Sequence, residues 1–176
     1  MRILEAGPAD IDAVLGVERL AFSRDDEPNL VTALLQDPTA QPSLSLLAYV
    51  AGRPVGHILF TKVTLPSDSR SFSAAILAPL AVVPESQRQG LGRALIERGA
   101  SILADSGVQL LFVLGDPAYY TRCGFAPATP YGLHAPYPIV PEAAWMVRSL
   151  APNLLGVVKG KVTCAESLAK PEYWRE

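Results

Sequence analysis

The spacing of apolar positions changes several times along the chain, and each change marks an element. "RILEA" reads as a short first strand. From Pro8 to Phe22, Ile11, Val14, Val17 and Ala21 recur at helical spacing, as in an amphipathic helix. Pro8 suits its start, because the missing N–H would be unpaired there anyway. A second helix is expected from about Glu27 to Gln36, with Leu30 and Leu34 on one face. Asp37-Pro38 ends it, since a residue before proline is pushed out of the helical region. "LSLLAYVAGRPVGHILFTKVTL" reads as two strands around a turn at Gly52-Arg53. "SAAILAPLAVV" is apolar on both faces and should be a central strand. Helical spacing returns from Gly90 to Ser106, with Leu91, Leu95, Ile102 and Leu103 inward and Gly107 as a left-handed cap. "QLLFVL" is another buried strand, and "PAYYTRCGF" is one helical turn followed by Gly124. Residues 126–143 are irregular and carry five prolines, after which "AWMVRSL" and "GVVKGKVT" can add strands. Without repeat or linker, residues 1–176 are expected to form one mixed α/β domain.

Bulk properties narrow the function only by exclusion. A net charge of −2 offers no general attraction for nucleic acid or an anionic membrane. The longest apolar run, from Ala74 to Val83, is about ten residues and too short to span a bilayer. Glu5 and Asp10 lie where a signal peptide would need an apolar core. The 2 cysteines, Cys123 and Cys164, form no metal-ligand spacing and no disulfide framework. A soluble, cytoplasmic protein is expected.

The chemistry concentrates where the central strand turns into the third helix. The first N–H groups of a helix have no intrahelical partner, and the helix dipole adds partial positive charge there. Gly90 and Gly92 remove side chains that would block an anion, while Arg88 and Arg93 add full positive charge. A diphosphate is a sensible ligand. Neither a Walker loop nor the G-x-G-x-x-G dinucleotide fingerprint is present; Leu95 replaces the last glycine. Pro79 is an anomaly in the same region. Its missing N–H would break a ladder bond in a central strand, so it indicates an edge, a bulge or an unpaired stretch.

"QRQGLG", Gln87 to Gly92, directly after a strand ending in Val-Pro, resembles the acyl-CoA signature Q/R-x-x-G-x-G/A of the GNAT acetyltransferase superfamily. "LGDPAYYTRCGF", "EPNLVTALL" and the late "GKVT" extend the resemblance over nearly the whole chain, to the YhbS-like branch. The resemblance implies an α/β (α+β) GNAT fold. Its mixed, mostly antiparallel central sheet is flanked by helices and splayed between the fourth and fifth strands, where the cofactor enters. It also implies an N-acetyltransferase with acetyl-CoA as co-substrate and an amine-bearing acceptor, small molecule or protein, and it allows a homodimer. The alternative is an acyl-CoA-binding sensor with little or no catalysis.

Residue by residue, the resemblance assigns cofactor binding to Gln87, Arg88, Gln89, Gly90, Leu91, Gly92 and Arg93, and pantetheine contacts to the backbone of Leu80, Ala81 and Val82. Tyr120, four residues before Gly124, matches the family's general-acid tyrosine; Tyr119 is read as packing. The fourth strand carries no Asp or Glu, so the base is sought among Glu27, His57 and His134. Each of these reads first as structural: a capping acid, a hydrogen-bonded strand histidine and an exposed loop histidine. Glu27 is preferred because its helix borders the acceptor cleft in the superfamily. A water chain is the other option. Asp116 is read as a helix cap, Cys123 as a buried small apolar residue, and residues 126–143, with Tyr131, His134 and Tyr137, as a wall of the acceptor site.

Overall fold

The computed structural model describes residues 1–68, 70 and 72–175. In chain order the main elements are β1 (Arg2–Glu5), α1 (Ile11–Phe22), α2 (Asp26–Gln36), β2 (Leu44–Val50), β3 (Arg53–Val63), β4 (Ser73–Val82), α3 (Leu91–Asp105), β5 (Val108–Leu114) and α4 (Pro117–Thr121). After these come the short strands β6 (Ala126–Pro127) and β7 (Leu133–His134), then β8 (Trp145–Ser149) and β9 (Gly160–Lys161). The large sheet runs β1-β2-β3-β4-β5-β8-β6 and is antiparallel except for the β4–β5 pair. β7 and β9 form a small parallel pair of their own. The strand expected in "GVVKGKVT" is therefore only Gly160–Lys161, with a lone bridge from Thr163 to Thr64.

Strand periodicity distributes the core over both faces of the sheet. Gly56 and Phe60 of β3 face α3: a Cβ on Gly56 would meet Leu95 at 3.0 Å, and one on Gly99 would overlap the Phe60 ring. His57 lies on the other face and hydrogen-bonds to Glu18 of α1. The sheet is thus sandwiched between α1 with α2 on one side and α3 on the other. The β2–β3 hairpin turns on Ala51-Gly52, one residue earlier than expected. Both residues have positive φ, 50° and 76°, as a two-residue type I′ turn needs, and Arg53 already pairs with Val50.

The Pro79 anomaly resolves into two features. On the β3 side, Ala78 and Pro79 together face the single residue Leu59, because Phe60 pairs with Leu77 and Ile58 with Leu80; this is a β-bulge. On the β5 side, parallel pairing runs from Ser73↔Val108 to Leu77↔Val113 and stops. Beyond Leu77, β4 follows β3 alone. β4 and β5 therefore splay at their C-terminal ends, as the resemblance implied.

Candidate active site

The splay joins two cavities on opposite faces of the sheet. The first, of about 590 Å³, lies at the N-terminus of α3. Gly90, with φ +84°, is the helix N-cap, and the first helical bond runs from Ala94 N–H back to Gly90 O at 3.0 Å. The N–H groups of Leu91, Gly92 and Arg93 precede that bond and have no place in the helical ladder. A Cβ on Gly90 would meet nothing within 4 Å, so this glycine serves conformation; one on Gly92 would lie 2.5 Å from the Tyr119 hydroxyl, so that glycine serves close approach. Arg88 also adopts a left-handed conformation, φ 61°, an uncommon state for a residue with a side chain.

The cavity wall carries the guanidinium groups of Arg88, Arg93 and Arg122 and, among the described residues, no carboxylate. Such a surface suits a ligand bearing several phosphate charges. Gln87 and Leu91 line it as expected, and the Gln87 amide donates to Val82 O at 3.0 Å, tying the loop to the end of β4. The Gln89 side chain does not line it: it turns back to donate to Glu85 O at 3.3 Å. Leu80 and Val82 line the cavity, whereas the Ala81 side chain is buried in the core. Four lining residues were not among the expected binding residues: Ser86, Tyr119, Arg122 and Cys123. Tyr119 is half-buried, with Arg122 stacked 5.9 Å from its ring centre. Burial holds its hydroxyl above the usual phenol range. Cys123 is 2% exposed, and burial pushes its thiol up, so it stays a thiol and packs.

The second cavity, of about 570 Å³, opens on the α2 face and shares Leu80 with the first. Ile76 to Leu80 of β4 and Val113 and Leu114 of β5 form its apolar floor. Tyr120 lines it, and Tyr119 lines the other. Asp116 caps α4 by accepting from Ala118 N–H at 3.0 Å. The Tyr120 ring lies over Gly115, where a Cβ would overlap it, and meets Phe125 edge-on at 5.6 Å. Glu27 also lines this cavity, with both carboxylate oxygens engaged by Arg24.

Neither histidine reaches the site: His57 is the hydrogen-bonded strand residue and His134 the exposed residue that their structural readings expected. His57 is fully buried; its Nε2 meets Ser45 Oγ at 2.8 Å and its Nδ1 meets Glu18 Oε2 at 2.7 Å. The trio has the composition of a Ser–His–carboxylate triad, but it is sealed under α1 and no substrate reaches it. Desolvation pushes the Glu18 carboxyl up, against the pull of His57. His134 is exposed on β7 and lines a separate hollow with Thr129 and Glu142. Residues 126–143 are likewise not a wall of the second cavity. That wall is the C-terminal segment from Leu168 to Arg175, including Tyr173 and Trp174; Tyr137 only backs it, 6.2 Å from the Trp174 ring. The "PEYW" segment carried no motif or periodicity, so nothing in the chain order marked it as a site.

A sheet opened between its parallel strands, with a glycine-cleared helix N-terminus on one face and a cleft on the other, defines an acyl-CoA-dependent transferase. Residues 12–125 match the Acetyltransferase (GNAT) family, and the chain belongs to that family. It is 45% identical over 161 residues to the Escherichia coli N-acetyltransferase YjhQ, covering 90% of this chain and 88% of that protein. The crystal structure of E. coli YhbS in complex with CoA superposes with a TM-score of 0.87 at 31% identity, over 96% of this chain and 92% of that one. A Brucella melitensis GNAT acetyltransferase in complex with acetyl-CoA gives a TM-score of 0.74 at 26% identity, over 95% and 97%. Among the described residues no helix is long and apolar enough to cross a membrane.

Proposed function

We propose that this protein transfers the acetyl group of acetyl-CoA to an amine, with the thioester seated in the splay beside Leu80. The observation that carries this reading is the pair of cavities meeting at Leu80, one ringed by arginines, the other with an apolar floor beneath Tyr120. The arginine side takes the phosphates of the co-substrate on the N–H groups of Leu91, Gly92 and Arg93, with Arg88, Arg93 and Arg122 supplying charge. Beyond Leu77 the edge of β4 turned away from β3 has no strand partner and is left to hydrogen-bond to the pantetheine arm.

In the transfer the amine nitrogen forms a bond to the acetyl carbon, the carbon–sulfur bond breaks, and one amine proton is passed on while the sulfur gains one. Tyr120 is the group we assign to protonate the departing thiolate. To Glu27, held by Arg24 in the same cavity, we assign removal of the amine proton, through water. The apolar floor assists by a different route: desolvation disfavours the ammonium form and leaves more of the amine able to attack. The cytoplasm supplies acetyl-CoA and is where we place the activity. Release of CoA from acetyl-CoA, followed with a thiol reagent across a broad amine panel, tests the reading. We expect amine-dependent, saturable release; acetyl-CoA binding without release for any amine would instead support a sensor.

A further inference from the structure

We propose that the acceptor is a small primary amine bearing one positive charge on an apolar, preferably aromatic, body, and that the C-terminal Tyr173–Trp174 wall selects it. This rests on the acetyltransferase reading and goes on to the identity of the acceptor. The cavity of about 570 Å³ has the size of a site that encloses a small molecule. A nucleophile must reach the splay, so its amine lies deepest, against Leu77, Pro79 and Leu114, where no carboxylate lies. The body then extends back past Phe22, Tyr173 and Leu168. Apolar and aromatic groups gain there by leaving water.

Charge at the rim supports the same class. Glu27, its side chain 13% exposed, is already clamped by Arg24, and the exposed Asp26 and Glu172 are set against Arg175. Opposite signs nearly balance, so the rim suits neither a polycation nor a polyanion. A second ammonium group within the cavity would have to displace Arg24 from Glu27 or reach out to the exposed Asp26 or Glu172, and otherwise sits on apolar walls at a desolvation cost. The wall itself is built, not loose. Trp174 is 3% exposed, donates its indole N–H to Leu168 O at 2.9 Å and packs on Trp145 with ring centres 5.6 Å apart. Tyr173, beside it, is only partly buried and lines the cavity.

The test compares 2-phenylethylamine and tyramine with spermidine and a tripeptide bearing a free N-terminus. Acetyl-CoA affinity is measured separately by calorimetry. We expect kcat/KM for the aromatic amines to exceed the others at least tenfold, the scale set by burying one aromatic ring. Tyr173→Ala should raise KM for 2-phenylethylamine about tenfold, Tyr173→Phe should restore it, and neither should change acetyl-CoA affinity. Independently of turnover, 2-phenylethylamine titrated into the CoA complex should perturb the fluorescence of Trp174. If acetyl-CoA binds but spermidine or the tripeptide is preferred, or no amine of the panel is acetylated, the acceptor class is wrong while the cofactor site stands. An unchanged KM in Tyr173→Ala, or a silent titration, removes the wall. Absence of acetyl-CoA binding overturns the acetyltransferase reading and this inference with it.

Discussion

Tyr119 and Tyr120 are adjacent in sequence yet line different cavities, because successive residues of a helical turn point about 100° apart. α4 therefore places one phenol in the arginine-lined cavity and the other in the cavity with the apolar floor. Tyr120→Phe keeps the ring over Gly115 and removes only the hydroxyl. If Tyr120 is the acid, kcat should fall by roughly 10²–10⁴-fold with little change in acetyl-CoA affinity, because the lost interaction matters as the thiolate departs. Full turnover in Tyr120→Phe, under conditions where chemistry limits the rate, would make it a packing residue. Tyr119→Phe is not a silent control, since its hydroxyl stands directly over Gly92. Its effect belongs in acetyl-CoA affinity, and the contrast between the two variants separates the roles. The sequence distinguished Tyr120 through its spacing to Gly124, but the side of the sheet each ring faces depends on how α4 leaves β5.

The C-terminal segment shows how one side chain can hold an element against the site. Asp37 ends α2 and accepts from Thr39 N–H at 2.8 Å and from Thr39 Oγ1 at 2.6 Å on one oxygen, and from Ser167 N–H at 2.9 Å on the other. Thr39 Oγ1 in turn accepts from Glu166 N–H at 2.9 Å. These bonds, the Thr39 hydroxyl first, hold the Asp37 carboxyl down to about 2, below its ordinary 3.8. A carboxyl depressed in the folded state stabilises fully above its unfolded pKa, and the contribution is lost as pH falls from 3.8 through about 2. Asp37→Ala should therefore cost about 0.5–2 kcal/mol at neutral pH, the range for a lost capping side chain. The gap to wild type should narrow as pH falls below 3.8. Paired urea denaturation from pH 7 downward measures this; a gap independent of pH would show that the carboxylate is not the tether. The local helix stop at Asp37-Pro38 was legible from proline chemistry. Its second task, holding a segment 130 residues away, was not, because backbone donors carry no sequence signal.

At the scale of the molecule, what was legible followed from local physics, and what was missed came from long-range assembly. Periodicity located the helices and long strands, and one misplaced proline marked the opening between β4 and β5. The glycines marked the arginine-lined cavity, Gly92 because only bare backbone can be approached that closely and Gly90 because the helix cap needs a positive φ. By contrast, His57 read as a hydrogen-bonded strand histidine, but its partner stayed invisible until Glu18 of α1 folds over it. The 126–143 stretch looked functional because it is irregular, yet the chain end forms the cavity wall. The central claim is that acetyl-CoA binds on the α3 face with its phosphates over Gly92, and calorimetric titration of wild type and Gly92→Val with acetyl-CoA tests it most directly. A valine there would fill the space between the helix N-terminus and the Tyr119 hydroxyl. We expect saturable binding to wild type and at least a tenfold loss in Gly92→Val, with circular dichroism of the variant confirming that it is folded. Equal affinity in a folded Gly92→Val, or no binding to wild type, would contradict the account.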